Sequence, residues 1–402
     1  MRTALLIISL VSVSQILLCN PALGGVSIPN LAAVAPPIFP ACGSVYSSPI
    51  ADSSDDAKPR QCPDPVKRTY IPKYRTIGHE VLSSESEACF VPDSAFEELD
   101  ALIEAGQRLY KSKLGNTTDW SQSATSFFEV MGNTLVNSGY QLYIPTDTLG
   151  DALVTRSLRN QGKHIADCDT ASLLYLSLAE TLKLPVSMVE IELPSGAGHN
   201  YLRWVNPEGQ GIDWDTNGRE RRVAPNGLPA WQGRSMSRSE VIGYTKGIRG
   251  LLYQKSGRNA EALADYREDA TLYSRSPAGH NNLAWLIATR QGFDSPAFAQ
   301  EAIGNAVLAV SIERTANYLD TLACSYARAG NFDSAVSTAR EVLTLNPSSE
   351  EFKQRLARFQ ATPPKTAWGL SSRRWPPHLY RARSACRASI SWSSMLIHCV
   401  YF

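Results

Sequence analysis

The feature that most constrains the fold of this chain is a recurring spacing of small and aromatic residues in its C-terminal half. Ala284 lies 34 residues after Gly250, and Ala323 lies 39 residues after Ala284, which is the same period lengthened by a short inserted loop. The first and third units carry similar residues at the same offsets, namely Gly250, Tyr253, Gly257 and Ala262 against Ala323, Tyr326, Gly330 and Ala335. Small residues at a fixed spacing let neighbouring helices touch, so the period predicts stacked pairs of helices.

A period of this length with small residues at the helix contacts resembles the tetratricopeptide repeat. We therefore expect an all-α array of about three helix pairs over 239–361, in which Leu252, Tyr266 and Trp285 pack between helices. The alternative is an unrelated array of helical hairpins. The resemblance implies a concave surface that binds a protein or peptide.

Residues 93–235 change from helical to strand periodicity partway along. Three segments have apolar residues at helical spacing, from Asp93 to about Tyr110, from Ser123 to about Tyr140, and from Cys168 to about Lys183. Three β-branched or alternating segments follow, "PVSMVEIEL", "HNYLRWV" and "QGIDWDT". Helices followed by antiparallel strands predict an α+β domain over 93–235.

The N-terminus has the parts of a secretory signal peptide over residues 1–24. Arg2 gives a short positive region, an apolar run follows, and "ALG" is a small-residue cleavage site. The Pro- and Ser-rich residues 25–92 are expected to be irregular. We expect an exported chain, periplasmic or secreted, and an uncleaved signal would leave it anchored in a membrane. No other segment is long and apolar enough to span a bilayer.

Charge and composition restrict the partners. The net charge of +1 gives no overall basic field, so a nucleic-acid partner is not expected. The exception in composition is the tail, residues 362–402, which has Trp368, Trp375 and Trp392 among arginines and serines and contains no acidic residue. We expect this tail to be a disordered or anomalous extension.

The cysteine count leaves at least one thiol unpaired within an exported chain. Seven cysteines remain once the signal is removed, at positions 42, 62, 89, 168, 324, 386 and 399. Three of them, Cys42, Cys62 and Cys89, could supply one structural disulfide in an oxidising compartment. The sequence does not give the pairing.

One cysteine, one histidine and two acids form a candidate catalytic group. Cys168 begins a predicted helix, where unpaired N–H groups and the helix dipole lower the pKa of a thiol. His199 begins a predicted strand and is the candidate base. Asp213 and Asp215 point to one face of the next strand, so either could orient the histidine. Asp215 is the preferred acid and Asp213 the alternate. The charges of Asp167 and Asp169 oppose a thiolate, so a protonated histidine beside the cysteine becomes more necessary. The alternative is that these aspartates are the helix cap.

The segments "DCDTASLLYLSLAETLKLPVSMVEI", "GHNYLRW" and "IDWDTN" resemble the transglutaminase-like superfamily, which has a papain-like core. Exported bacterial proteins of this kind place the domain before tetratricopeptide repeats, and this chain has that order. The resemblance implies an α+β transglutaminase-like domain followed by an all-α repeat array. It implies Cys168 as nucleophile, His199 as base and Asp215 as orienting acid, with an acyl-thioester intermediate. It implies a cysteine peptidase, amidase or transglutaminase, with no metal and no organic cofactor.

Three other interpretations compete with catalysis. Cys168 alone is also typical of a small buried residue, since leucines follow it at helical spacing. Cys168, His199 and Asp215 are residue types that bind zinc, although the spacing of a zinc motif is missing. The third interpretation is a non-catalytic scaffold, in which a degenerate transglutaminase-like domain and the repeat array bind a peptide or protein.

Overall fold

The fold is that of a computed structural model, which describes residues 69–88, 91–114, 118–142, 144, 146, 148–154, 164–192, 198–222 and 233–361. The predicted signal peptide, the predicted tail and the cysteines expected to form a structural disulfide lie outside the described residues, as does the first part of the segment 25–92.

Twelve helices and six strands occur in the described part of the chain. In chain order they are α1 (Ile77–Ala88), α2 (Asp93–Leu114), α3 (Trp120–Asn137), β1 (Tyr140–Leu142), α4 (Leu149–Leu153), β2 (His164–Ala166), α5 (Cys168–Leu182), β3 (Val186–Glu192), β4 (Gly198–Val205), β5 (Gly211–Asp215), β6 (Glu220–Arg222), α6 (Arg238–Lys255), α7 (Asn259–Leu272), α8 (Pro277–Thr289), α9 (Pro296–Ile312), α10 (Ala316–Arg328), α11 (Phe332–Leu345) and α12 (Glu350–Ala361). The chain is thus rich in helix and carries two small sheets.

The structure differs from the sequence prediction at α1, which lies in the segment expected to be irregular. Ile77, Val81 and Leu82 fall on one side of this helix and are fully buried in the main core. Serines at positions 83, 84 and 86 interrupt the helical spacing of apolar residues, so the sequence pattern does not predict this helix. The folded domain therefore begins before Asp93.

The larger sheet is antiparallel with strand order β3-β4-β5-β6. Leu202 of β4 pairs with Trp214 of β5, and Ile191 of β3 pairs with His199. The three predicted strands are thereby confirmed. The sequence did not indicate the parallel pair of β1 and β2, whose strands are only three residues each.

Helix α5 is buried on all sides. Every residue from Cys168 to Ala179 is buried, which is typical of a central helix and not of an amphipathic helix with one solvent-exposed face. Helix α5 contacts α1, α2, β3 and β4. The residue that begins this helix therefore lies inside the protein.

The first two helices of the C-terminal half belong to the same hydrophobic core. Val241 and Tyr244 of α6 and Tyr273 after α7 pack in one cluster with Leu174 of α5 and Trp204 of β4. The cluster is continuous across the position, near residue 237, at which the sequence pattern changes. The helical half is therefore built onto the α+β half through a shared core.

Helices α6 to α11 form three packed pairs, and α12 packs on α11. The small residues of the sequence repeat lie at the helix contacts. Ala262, Ala284, Ala323 and Ala335 are fully buried, and a Cβ placed on Gly250 would lie 2.7 Å from Cε1 of Tyr266. No helix in the described part of the chain is both long and apolar enough to cross a membrane.

Candidate functional site

Cys168 is the first residue of α5, and Asp167 caps that helix. Oδ1 of Asp167 accepts from the backbone N–H of Thr170 at 3.0 Å, and Oδ2 accepts from the backbone N–H of Thr146, also at 3.0 Å. The Thr170 hydroxyl in turn accepts from the backbone N–H of Asp167, which completes a capping box. Burial raises the pKa of Asp167, and these hydrogen bonds oppose the rise. One of the two acids that flank the cysteine is thus a helix cap.

The sulfur of Cys168 is fully buried and disulfide-bonded. Cys324, the other cysteine among the described residues, is free. A disulfide sulfur carries no proton and is not a thiolate, which is the nucleophilic form. In this state Cys168 does not act as a nucleophile, and reduction must come before any chemistry at its sulfur.

His199 and Asp215 form a buried pair across β4 and β5. Nε2 of His199 lies 3.1 Å from Oδ2 of Asp215, and the two residues are 5% and 1% exposed. Because a carboxylate only accepts, Nε2 carries the proton, and Nδ1 is then the basic nitrogen of the neutral ring. Oδ1 of Asp215 accepts the backbone N–H groups of Asn217 and Gly218 at 2.9 and 3.1 Å, which fixes the carboxylate.

Asp213 is held by a different partner. Arg203 donates from Nε and Nη2 to its two carboxylate oxygens at 2.6 and 2.9 Å. The same guanidinium donates to the carbonyl oxygen of Gly233 at 2.7 Å. Of the two acids that the sequence left open, the structure brings Asp215 to His199 and leaves Asp213 in an ion pair.

A third acid, Asp169, lies next to the cysteine and connects it to the histidine strand. Oδ1 of Asp169 lies 3.3 Å from Sγ of Cys168 and accepts from Nδ2 of Asn200 at 2.5 Å. Nδ2 of Asn200 also donates to the hydroxyl of Tyr244 at 2.8 Å. Asn200 directly follows His199, so this link joins the start of α5 to the start of β4.

The pKa of Asp169 is raised to about 8, first by burial and then by the charge of Asp167. Its hydrogen bonds with Tyr244 and Asn200 oppose the rise. The sequence hints at this link, since Asp169 follows Cys168 and Asn200 follows His199. It gives no sign of Tyr244, which lies on a helix assigned to the repeat array.

No cluster of three or more His, Cys, Asp and Glu side chains that could hold a metal ion occurs among the residues that the structure describes. Asp169 and Glu85 line one small cavity together with the hydroxyl residues Thr146, Thr148 and Thr245. Burial raises the pKa of Glu85 to about 7, although its carboxylate accepts two backbone N–H groups of α4.

No family model and no curated protein matches this sequence.

Proposed function

We propose that this chain is an exported transglutaminase-like cysteine acyl-transfer protein, with Cys168 as nucleophile, His199 as base and Asp215 as the acid that orients the base. The observation that carries the proposal is the buried His199–Asp215 pair, on a strand joined to the start of the cysteine's helix through Asn200 and Asp169. Three residue types that acyl transfer requires thus occur on three neighbouring elements.

The order of elements supports the transglutaminase-like assignment. The cysteine begins a central helix, and the histidine and the acid follow on two successive antiparallel strands. The acid fixes which ring nitrogen carries a proton, as the orienting member of a catalytic triad does. The three helix pairs that follow support a tetratricopeptide-type array as the surface that holds a protein or peptide.

The proposed reaction starts from the reduced cysteine. His199 takes the thiol proton, and the thiolate attacks a peptide or glutamine carbonyl. The C–N bond breaks, the amine leaves with a proton from His199, and a thioester remains on Sγ. Attack by water then gives hydrolysis, and attack by a second amine gives cross-linking, so that Sγ is released as the thiol in both cases.

Alkylation of Cys168 with iodoacetamide tests this proposal. The protein is first reduced with a phosphine and desalted, and the rate of Cys168 labelling is followed by peptide mass spectrometry between pH 5 and 10. An imidazolium beside the thiolate favours the charged form, so we expect rapid labelling well below pH 8. His199→Ala should lower the labelling rate at pH 6.5 by tenfold or more, on the order of one pKa unit of thiol activation.

Matched acid variants refine the test. Asp215→Asn should lower the labelling rate in the same direction as His199→Ala, because the ring loses its orienting carboxylate. Asp213→Asn makes the same chemical change on the same strand and should leave the rate within about twofold, because Asp213 pairs with Arg203. Equal labelling of the wild type and His199→Ala at every pH would remove the enzyme proposal.

The disulfide at Cys168 favours a second function, that of a non-catalytic binding scaffold. A fully buried disulfide sulfur is typical of a structural bond. In this alternative the helix array binds a peptide or protein and the α+β half supports it. Resistance of the Cys168 disulfide to reduction in the folded protein, with unfolding once it is broken, would favour the scaffold.

A further inference from the structure

We infer that Asp169 is a positioning residue of the candidate site, an inference that rests on the proposed function. Its carboxyl lies against Sγ of Cys168 and binds Asn200, and together with Tyr244 of α6 it holds the cysteine helix against the histidine strand. Asp169, whose charge would disfavour a thiolate, is in this view the residue that connects the cysteine helix to the histidine strand.

The contacts form one closed group. Asn200 uses both hydrogens of a single amide, one to Asp169 at 2.5 Å and one to Tyr244 at 2.8 Å, and Tyr244 is itself hydrogen-bonded to Asp169. All three side chains are buried, at 6%, 1% and 0% exposure. Hydrogen bonds in a dry interior are strong and fix geometry. Three elements, α5, β4 and α6, are therefore tied at one point beside the cysteine.

The charge state of Asp169 removes the expected conflict. A carboxylate at 3.3 Å from sulfur would strongly disfavour a thiolate. Burial and the neighbouring Asp167 keep the pKa of Asp169 at about 8, so the carboxyl holds its proton at neutral pH. A neutral carboxyl adds no repulsion, and the helix dipole can then act on the thiol.

The other titratable groups around Asp169 come from every element packed on it. Cys168 and Asp167 lie on its own segment, Glu190 acts on it from β3, Tyr244 from α6, and Glu85 of α1 lines the same cavity. The pKa values of Glu190 and Glu85 are raised to about 7 by burial. They ionise before Asp169 does, so the assignment of an effect near pH 8 requires a variant at Asp169 itself.

The inference predicts a specific pH profile of Cys168 labelling in reduced protein. As Asp169 ionises above about pH 8, the new negative charge beside the sulfur raises the pKa of the thiol. The labelling rate then rises with pH over a broader range. Asp169→Asn keeps a neutral group of the same shape. We expect it to label within about twofold of the wild type at pH 7, to titrate in one step, and to label about threefold faster than the wild type at pH 9.

Controls separate position from charge. Asp119→Asn makes the same change at the N-cap of α3 and should leave the profile unaltered. Tyr244→Phe removes one anchor of the bridge and should slow labelling at pH 7 severalfold. It also removes a hydrogen bond that lowers the pKa of Asp169, so the inflection near pH 8 should move to higher pH. If Asp169→Asn does not fold, Asp169→Ser supplies the variant for infrared difference spectra. A protonated carboxyl should disappear between pH 7 and 9.5 in the wild type, in Glu85→Gln and in Glu190→Gln, and that loss should be missing from Asp169→Ser.

Two results would overturn the inference. One is an Asp169→Asn profile that superimposes on the wild type from pH 6 to 10. The other is a folded Asp169→Asn protein that labels tenfold more slowly at pH 7, since that would mean an ionised carboxylate is required. Failure of the proposed function is distinct from both, because it is read from His199→Ala, whose labelling would match the wild type while the Asp169 effect persists.

Discussion

At the scale of single residues, this fold keeps several carboxyl groups protonated near neutral pH. Burial raises the pKa values of Glu85 and Glu190 to about 7 and that of Asp169 to about 8. A charge in a dry interior costs much more free energy than a neutral acid, so these groups bind a proton instead. Their titration must therefore appear in the stability of the protein.

We predict that Glu85→Gln weakens the dependence of stability on pH. The folded chain keeps a proton on Glu85 up to about pH 7, whereas the unfolded chain loses it near pH 4.5. The stability from this group is complete below about pH 4.5 and is lost as the pH rises through 7. The loss amounts to at most about 3 kcal/mol. Urea unfolding at pH 5 and pH 8 should show a smaller difference in Glu85→Gln than in the wild type.

Glu87→Gln is the control for that measurement, since Glu87 lies on the same helix with an exposed side chain paired to Arg249. It should keep the wild-type difference between pH 5 and pH 8. An unchanged difference in Glu85→Gln would show that Glu85 does not carry a proton in the folded state.

Part of the candidate site followed from residue spacing and part did not. Two-residue alternation placed Asp213 and Asp215 on one face of β5, and for that reason it could not choose between them. The choice is made by Arg203, a residue on the neighbouring strand. The contact of Tyr244 with Asn200 joins parts of the chain far apart in sequence, which no local pattern encodes.

At the scale of elements, long periodic segments were predictable and short ones were not. The predicted helix from Cys168 to about Lys183 is confirmed as Cys168–Leu182, and the three strands are confirmed within one or two residues. The five-residue helix α4 escaped prediction because it is too short to show a period. Its first two backbone N–H groups are bound by Glu85, so a tertiary contact holds it in place.

We predict opposite effects of two glycine-to-alanine changes within the helix array. In Gly250→Ala the new Cβ would lie 2.7 Å from the buried ring of Tyr266, and such overpacking costs about 1–3 kcal/mol. In Gly304→Ala the Cβ meets no atom within 4 Å, so the variant should gain up to about 1 kcal/mol from helix propensity. Thermal unfolding of both variants checks the pair, and a neutral Gly250→Ala would contradict the close helix contact.

At the scale of the whole molecule, the two halves are joined by charge as well as by the shared core. Arg249 of α6 binds both oxygens of Asp265 at 2.7 and 2.6 Å and donates to the carbonyl oxygen of Ser84 in α1 at 2.8 Å. Arg249 and Asp265 are 6% and 3% exposed. One buried guanidinium thus holds the first helix of the array, its partner helix and the first helix of the α+β half.

We predict that Arg249→Met destabilises both halves together by about 3–5 kcal/mol, because it leaves the Asp265 carboxylate buried without its cation. Hydrogen exchange should rise in parallel for peptides from β4 and from α8. Arg267→Met is the control, since its pair with Glu301 is exposed and should matter by less than about 1 kcal/mol. Faster exchange in the array alone would show that the halves unfold separately.

The core that Tyr244 and Tyr273 share with the sheet also limits how such a chain can be rearranged. Among the described elements the third helix pair contacts mainly its neighbours along the array, so a further pair could be duplicated beside it without disturbing the cysteine and the histidine. The first pair cannot be exchanged in the same way, because it fills the interior of the other half. Gene fusions or deletions that cut near residue 237 would remove part of the core with the array. A cut directly after α7 would remove part of it too, because Ala278 of α8 belongs to the same core.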